Sequence, residues 1–314
     1  MSLGGPELLG GRYELVRVIG VGGMGTVHLG RMHGDRGFLR HVAIKRLRPH
    51  IATKDAVEML VEEARVASDL QHPNVVQMLD VGNDARGGVF LVMEWVDGID
   101  LGHFVRGLVR SESRVEWPEG AYVAMSVLDA LAAAHERRDA NGTPSPVFHR
   151  DVTPSNVLLS KHGQVKLADF GLARAMDRET VTRPGVVKGK LAYVAPEMVA
   201  GIRANPCTDV FSVGVLLWET LAGRRLYDTT NELELFVKVG AARIPGIRTI
   251  RPDVPEKLEA IVARATAKRV DDRYQSAGAM AEDLAALLDE APVRMSARRL
   301  APRIRAAMEE AAAT

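Results

Sequence analysis

The chain has 314 residues, in which 41 Lys and Arg nearly balance 40 Asp and Glu, with 46% apolar and 26% charged residues. This balance gives no electrostatic case for nucleic acid or an anionic membrane, and one cysteine, Cys207, excludes an intrachain disulfide framework and a Cys-rich zinc site. The length exceeds one compact core, so two lobes are expected, and the most apolar run, Val213–Trp218, falls far short of the ~18–20 residues that cross a bilayer. No basic-then-apolar leader opens the chain, so a cytoplasmic protein, or the cytoplasmic portion of a longer one, is expected.

In chain order, Tyr13–Ile19, Thr26–Leu29 and His41–Leu47 read as strands, with a loop over Met32–Arg40. Helical periodicity follows over Ala56–Leu70, with Val57, Leu60, Val61, Ala64, Ala67 and Leu70 on one face. Val75–Asp80 and Val89–Trp95 read as further strands, and Val96-Asp97-Gly98 as a turn. Beyond it the pattern changes to long helices such as Gly120–Arg137 and Val210–Ala222. Glu112–Glu119 and Arg138–Pro146 look like surface insertions. The tail from Arg294 to Thr314 reads as a solvated surface helix, with a partner-binding segment or a linker as alternatives. A strand-rich first third and a helix-rich remainder predict two lobes with a cleft between them.

Several segments carry chemistry. Gly20-Val21-Gly22-Gly23-Met24-Gly25-Thr26-Val27 is a G-x-G-x-x-G-x-V loop between strands, where glycines let backbone amides approach a phosphate. A tight hairpin shares that pattern; a dinucleotide fingerprint would need a helix next, and Thr26–Leu29 reads as strand. Lys45 ends the apolar strand Val42-Ala43-Ile44. It is either a surface charge or a phosphate ligand held by an acid, with Glu63 preferred and Glu62 its competitor. Residues 149–156 read His-Arg-Asp-Val-Thr-Pro-Ser-Asn, and Asp169-Phe170-Gly171 follows. Asp151, Asn156 and Asp169 thus stand at the spacing used to hold a substrate hydroxyl and magnesium around ATP. Ala195-Pro196-Glu197, Asp209–Gly214 and Asp272-Arg273-Tyr274 complete the series.

With these motifs in order over about residues 12–290, the chain resembles a Hanks-type protein kinase, and most resembles the bacterial Ser/Thr branch. The resemblance implies an α+β bilobal kinase fold: a β-rich N-lobe with one main helix (12–95), a mostly helical C-lobe (96–290) and an ATP cleft between. Residues 1–11 would be an extension and 291–314 a helical or flexible tail. It implies ATP with Mg2+ or Mn2+, protein substrates, no nucleic acid and no membrane segment, and leaves room for a homodimer that autophosphorylates in trans. Asp151 would accept or orient the substrate hydroxyl, Asn156 and Asp169 would hold metal, and Lys45 would pair with Glu63. Gly20, Val21, Gly22, Gly23 and Gly25 would cover the phosphates. Met93 would be the gatekeeper, the backbone of Glu94–Val96 would face adenine, and Val27, Ala43 and Leu158 would sandwich it. His149, Phe170 and Ala67 would stack into a spine, Glu197 would pair with Arg273, and Asp209 would anchor the catalytic loop. Arg150 would receive a phosphorylated segment, with Thr180 and Thr182 as candidates against a reading as plain loop threonines.

The pattern it resembles places lysine two residues after the catalytic aspartate and threonine in a later Gly-Thr pair. Here those positions are Thr153 and Lys190, so the two types are exchanged. The expectation is that Lys190 supplies the ammonium at the γ-phosphate with Thr153 bonded to it; a solvent-facing loop charge is the alternative. Transfer of the γ-phosphoryl of ATP to Ser/Thr hydroxyls, including the chain's own, is the leading function. A nucleotide-binding pseudokinase scaffold and a small-molecule phosphotransferase stand as alternatives.

Overall fold

The computed structural model describes residues 8–22, 25–47, 54–85, 87–170 and 190–312. These fold as two compact units. The first takes in residues up to Gln71 and Val76–Val96. It contains β1 (Leu8–Leu9), β2 (Tyr13–Val21), β3 (Gly25–His33), β4 (Leu39–Leu47), α1 (Lys54–Ser68), β5 (Met78–Asn83) and β6 (Val89–Glu94). The strands form one antiparallel sheet in the order β1-β2-β3-β4-β6-β5. One face buries Leu9, Tyr13, Val42, Ile44, Phe90 and Val92. Tyr13 packs edge-on against Phe90 with centroids 5.8 Å apart, and its hydroxyl donates to Asp80 Oδ2 at 2.5 Å. Burial, reinforced by that carboxylate, pushes the phenol up to about 12.

Pairing sharpens the expected boundaries. The loop expected over Met32–Arg40 shrinks, because β3 runs to His33 and β4 starts at Leu39. Its turn is a short 3-10 stretch, Asp35–Gly37, closed by Gly34 N–H on the Phe38 carbonyl at 2.8 Å. On α1, Ala64 and Ala67 are buried but Val61 is 39% exposed. Val61 lies about 120° round the helix from Ala67, too far to share its buried stripe.

The second unit takes in His72–Val75 and the described residues from Asp97 onward. It has a small antiparallel sheet of β7 (Gly98–Asp100), β8 (Val157–Ser160) and β9 (Val165–Leu167). Its helices are α2 (Leu101–Arg110), α3 (Trp117–His135), α4 (Pro196–Val199), α5 (Pro206–Ala222), α6 (Glu232–Ala241), α7 (Glu256–Ala265), α8 (Ala277–Asp289) and α9 (Ala297–Ala312). The strand expected over Val75–Asp80 is divided between the units. Asn74 Nδ2 donates to the Val165 carbonyl at 2.8 Å and Leu167 N–H to the Asn74 carbonyl at 2.7 Å, which draws 72–75 to β9.

Helix α3 begins within the expected Glu112–Glu119 insertion. Glu116 and Glu119 form a reciprocal capping box and Pro118 fits the first turn, where no amide partner is lost. Asn205 caps α5 and left-handed Gly223 ends it. Between them α5 is buried over Cys207–Leu221, so this is the central helix of the unit. Helix α9 departs from the expected solvated tail. Leu300, Ile304 and Ala307 are buried, and a Cβ on Gly107 of α2 would stand 3.2 Å from Ala307 Cβ. Arg303 Nε pairs with Glu119 Oε1 at 3.1 Å, and Arg305 donates to the Lys161 carbonyl at 3.1 Å.

Candidate active site

The second unit builds its site around an unusual stretch of backbone. Arg150 has φ 64°, a left-handed conformation that a side chain disfavours. What holds it is Asp209, fully buried near the start of α5, whose carboxylate accepts the amides of His149 and Arg150, both at 2.8 Å. His135 Nε2, at the end of α3, meets the same carboxylate at 2.8 Å. Burial alone would raise the Asp209 pKa, but the His135 hydrogen bond, with the histidines His135 and His149 close by and the Arg150 amide, outweighs it and holds the carboxyl below its ordinary value. The anchoring role expected of Asp209 thus has a geometry. His135 was not singled out from the sequence, because a helix-terminal histidine carries no signal of a partner 74 residues away.

His149 is buried and locked by both ring nitrogens. Nε2 lies 2.8 Å from the Ala168 carbonyl, and Nδ1 lies 3.3 Å from Asp151 N–H. That pattern fits the Nε2–H tautomer. Its ring packs on Phe170 with centroids 4.7 Å apart. Asp151 therefore leaves a fixed backbone, and its carboxylate is positioned from two sides. Asn156 Nδ2 donates to the Asp151 carbonyl at 2.8 Å and to Oδ2 at 3.0 Å. Lys190 Nζ also donates to Oδ2. Among the described residues both bonds converge on Oδ2 and neither uses Oδ1.

Thr153 departs from expectation. Its hydroxyl lies 3.0 Å from Ser155 Oγ rather than on Lys190, because it is buried at the start of the 3-10 turn Pro154–Asn156. Asn156, with its nitrogen spent on Asp151, presents its amide oxygen. Ala168 N–H binds the Asn156 carbonyl at 2.8 Å, and Asp169 follows in a left-handed conformation, φ 63°. An amide oxygen and a carboxylate are a hard, oxygen-only donor set of the kind Mg2+ or Mn2+ accepts when phosphate and water complete the shell. No group of three His, Cys, Asp or Glu that could hold a metal exists among the described residues.

Two buried networks support the surrounding chain. Glu197 and Arg273 form parallel bonds, both 2.8 Å, and the guanidinium also reaches the carbonyls of Ala267, Lys268 and Cys207. All five of its N–H groups are thereby used. Tyr193 donates to Glu219 Oε2 at 2.5 Å and accepts from Arg225 at 2.8 Å. This second network was not read from the sequence, since its members stand 26 and 32 residues apart.

In the first unit, sheet register places the expected nucleotide residues on one face. Val27 lies opposite Gly20 on β2 and Lys45 on β4, while Ala43, two residues from Lys45, lies opposite Met93 on β6. Lys45, Ala43 and Met93 are buried, as is Val96, two residues after Glu94. Gly25 has a structural reason of its own: a Cβ there would stand 1.9 Å from the Arg46 carbonyl oxygen. Gly20, Val21 and Gly22 are described; Gly23, the Glu63 side chain, Thr180 and Thr182 lie outside the described residues. Leu158 stands on β8 of the second unit opposite Asp100 and Lys166. Arg150 is partly buried beside Asp151.

This arrangement, a carboxylate base candidate held beside an oxygen donor pair on a helical unit that follows an antiparallel sheet, is that of a phosphotransferase. The protein kinase domain model matches residues 13–301, and the chain belongs to that family. It is 40% identical over 281 residues to the tyrosine-protein kinase MasK of Myxococcus xanthus, covering 89% of this chain and 43% of that one. It is 32% identical to the serine/threonine-protein kinase PrkC of Bacillus subtilis, over 90% and 41%, and 36% identical to PknL of Mycobacterium tuberculosis, over 90% and 67%. The crystal structure of the M. tuberculosis PknI kinase domain superposes with a TM-score of 0.67 at 27% identity, covering 91% of this chain and 99% of that one. The β-sheet region followed by a helical region is therefore the kinase domain fold. The chain spans less than half the length of MasK and PrkC.

Proposed function

We propose that this domain transfers the γ-phosphoryl group of ATP to Ser or Thr hydroxyls of proteins, its own chain among them. The observation that carries the reading is Asp151, whose Oδ2 is held by Asn156 and Lys190, bonds that do not use Oδ1. A substrate hydroxyl donating to Oδ1 would be oriented for attack and would pass its proton there. Its oxygen forms a bond to the γ-phosphorus as the bond to the β,γ-bridging oxygen breaks, and ADP leaves with that electron pair. Asn156 and Asp169 would hold the divalent ion, which neutralises phosphate charge when bound. Lys45, buried on the face shared with Val27 and Ala43, would bind the α- and β-phosphates, and Glu63 would hold it. Val27, Ala43 and Met93 would line the adenine, against the backbone of Glu94–Val96. Such a domain would work in the cytoplasm, where ATP is supplied. Arg150 would receive phosphate on Thr180 or Thr182.

A serine or threonine acceptor is favoured because relatives bearing that name recur, PrkC and PknL among them, whereas MasK is named a tyrosine kinase. Phosphoamino-acid analysis after incubation with γ-labelled ATP and mixed protein acceptors tests this directly. Label on phosphoserine or phosphothreonine is expected. Label confined to phosphotyrosine would overturn the acceptor class, and nucleotide binding without any transfer would favour a scaffold.

A further inference from the structure

We infer that Lys190 is a catalytic residue whose ammonium stabilises the γ-phosphoryl group in flight, delivering from position 190 the charge that Thr153 cannot supply within the loop. The inference rests on the transfer reaction proposed above. Lys190 Nζ bonds the same oxygen, Asp151 Oδ2, that Asn156 holds. A hydroxyl bound to that carboxylate stands about 2.7 Å from it and attacks phosphorus from about 3–3.5 Å. Hydroxyl and ammonium on the two oxygens of one carboxylate are therefore neighbours, and the ammonium lies on the order of 5–10 Å from the transferred phosphorus, near enough for its charge to act on the phosphoryl oxygens. Residue 153 is no competitor: Thr153 is buried, and its hydroxyl is taken up by Ser155 at 3.0 Å.

The backbone beneath Lys190 is held as a positioned residue requires, though its own side chain is 52% exposed. Lys190 opens the 3-10 turn Leu191–Tyr193, and its carbonyl accepts Tyr193 N–H at 3.0 Å. Tyr193 is buried and pinned at both ends: its carbonyl by Ser212 Oγ at 2.8 Å, its hydroxyl by Glu219 and Arg225. Burial, and then the Glu219 charge, push that phenol far above its ordinary value, so it stays a hydrogen-bond donor. Position 190 is thus tied through three residues to α5. A lysine serving only solubility needs no such footing.

Four variants and one chemical probe test this. Lys190→Ala should lower turnover about a hundred-fold, which is ~2.7 kcal/mol at 1.36 per decade, with KM for ATP changed less than about threefold. Lys190→Arg should recover at least about tenfold of that loss, because it returns the charge. Lys257→Ala, far from the site in a pair with Glu290, should match wild type. Independently of turnover, acylation of lysines read by mass spectrometry should find Lys190 protected by Mg2+ with a β,γ-imido ATP analogue and much less by Mg2+ with ADP. The Asp151→Asn variant should acylate faster at Lys190 without nucleotide, because the pairing charge is gone. Normal turnover in Lys190→Ala beside an inactive Asp151→Asn would overturn the role of Lys190 and leave the kinase reading standing. Equal protection of Lys190 by the analogue and by ADP would overturn it too. Inactivity of wild type would instead count against the kinase reading, and the acylation pattern would still decide for Lys190.

Discussion

Asp209 accepts two backbone amides and His135 with no exposure to water, so its charge is sustained wholly by those partners. Asp209→Ala removes them at once and should destabilise the domain by about 3–5 kcal/mol, since buried donors lose their acceptor and Arg150 loses what holds its left-handed backbone. Urea unfolding of wild type and variant measures the difference. The carboxyl is depressed in the folded state, so its contribution is full above the unfolded value of about 3.9 and is lost as pH falls through the lower folded value. Between pH 7 and pH 3 wild type should therefore lose more stability than Asp209→Asn. Arg273→Lys is a second residue-scale test. Lysine offers three donors where five are used, and about 3 kcal/mol should be lost because Glu197 stays buried with an incomplete partner. Unchanged unfolding midpoints would contradict both arguments. At this scale the sequence singled out four acids, Asp151, Asp169, Glu197 and Asp209. It did not show Asp209's partner His135, nor the Tyr193–Glu219 pair, because pairing across tens of residues leaves no local pattern.

At the scale of elements, α9 shows where periodicity stops being informative. Leu300, Ile304 and Ala307 recur at helical spacing, yet the same stretch is rich in Arg, Glu and Ala, a composition that also suits a solvated helix. What decides between the two is the surface opposite, and that surface is made by glycine. Gly107 lets α2 approach Ala307, and Gly163, at φ 88°, lies where a Cβ would be 1.8 Å from the Ala297 carbonyl oxygen. Ile304→Ala should cost about 2–5 kcal/mol, and Gly163→Ala should destabilise further by forcing the β8–β9 turn away from α9. Thermal unfolding of the two variants tests this; an unchanged melting temperature in both would mean that α9 contributes nothing to the fold. Strands β2, β3, β4 and β6 were legible from alternation to within a few residues, whereas β1 and the short β7, β8 and β9 were not read. The expected strand Val75–Asp80 failed because Val75 bridges to Leu167 in the second unit while Met78 starts a strand in the first.

At the scale of the whole molecule, the order of motifs carried more than any one of them. Glycine loop, Lys45, Asp151, Asn156 and Asp169 are each weak alone, and Gly25 shows why: its glycine is required by strand pairing whatever the loop binds. Together they mark the kinase domain, and the match over residues 13–301 agrees. Less is legible about use, since acceptor identity resides in surfaces rather than in spacing, and the chain spans under half of MasK and PrkC. The most direct measurement compares the initial rate of γ-phosphoryl transfer by wild type and Asp151→Asn, with nucleotide affinity measured on both. The account predicts a loss of about 10²–10⁴-fold in rate with affinity nearly unchanged. Equal rates in the two proteins would contradict it.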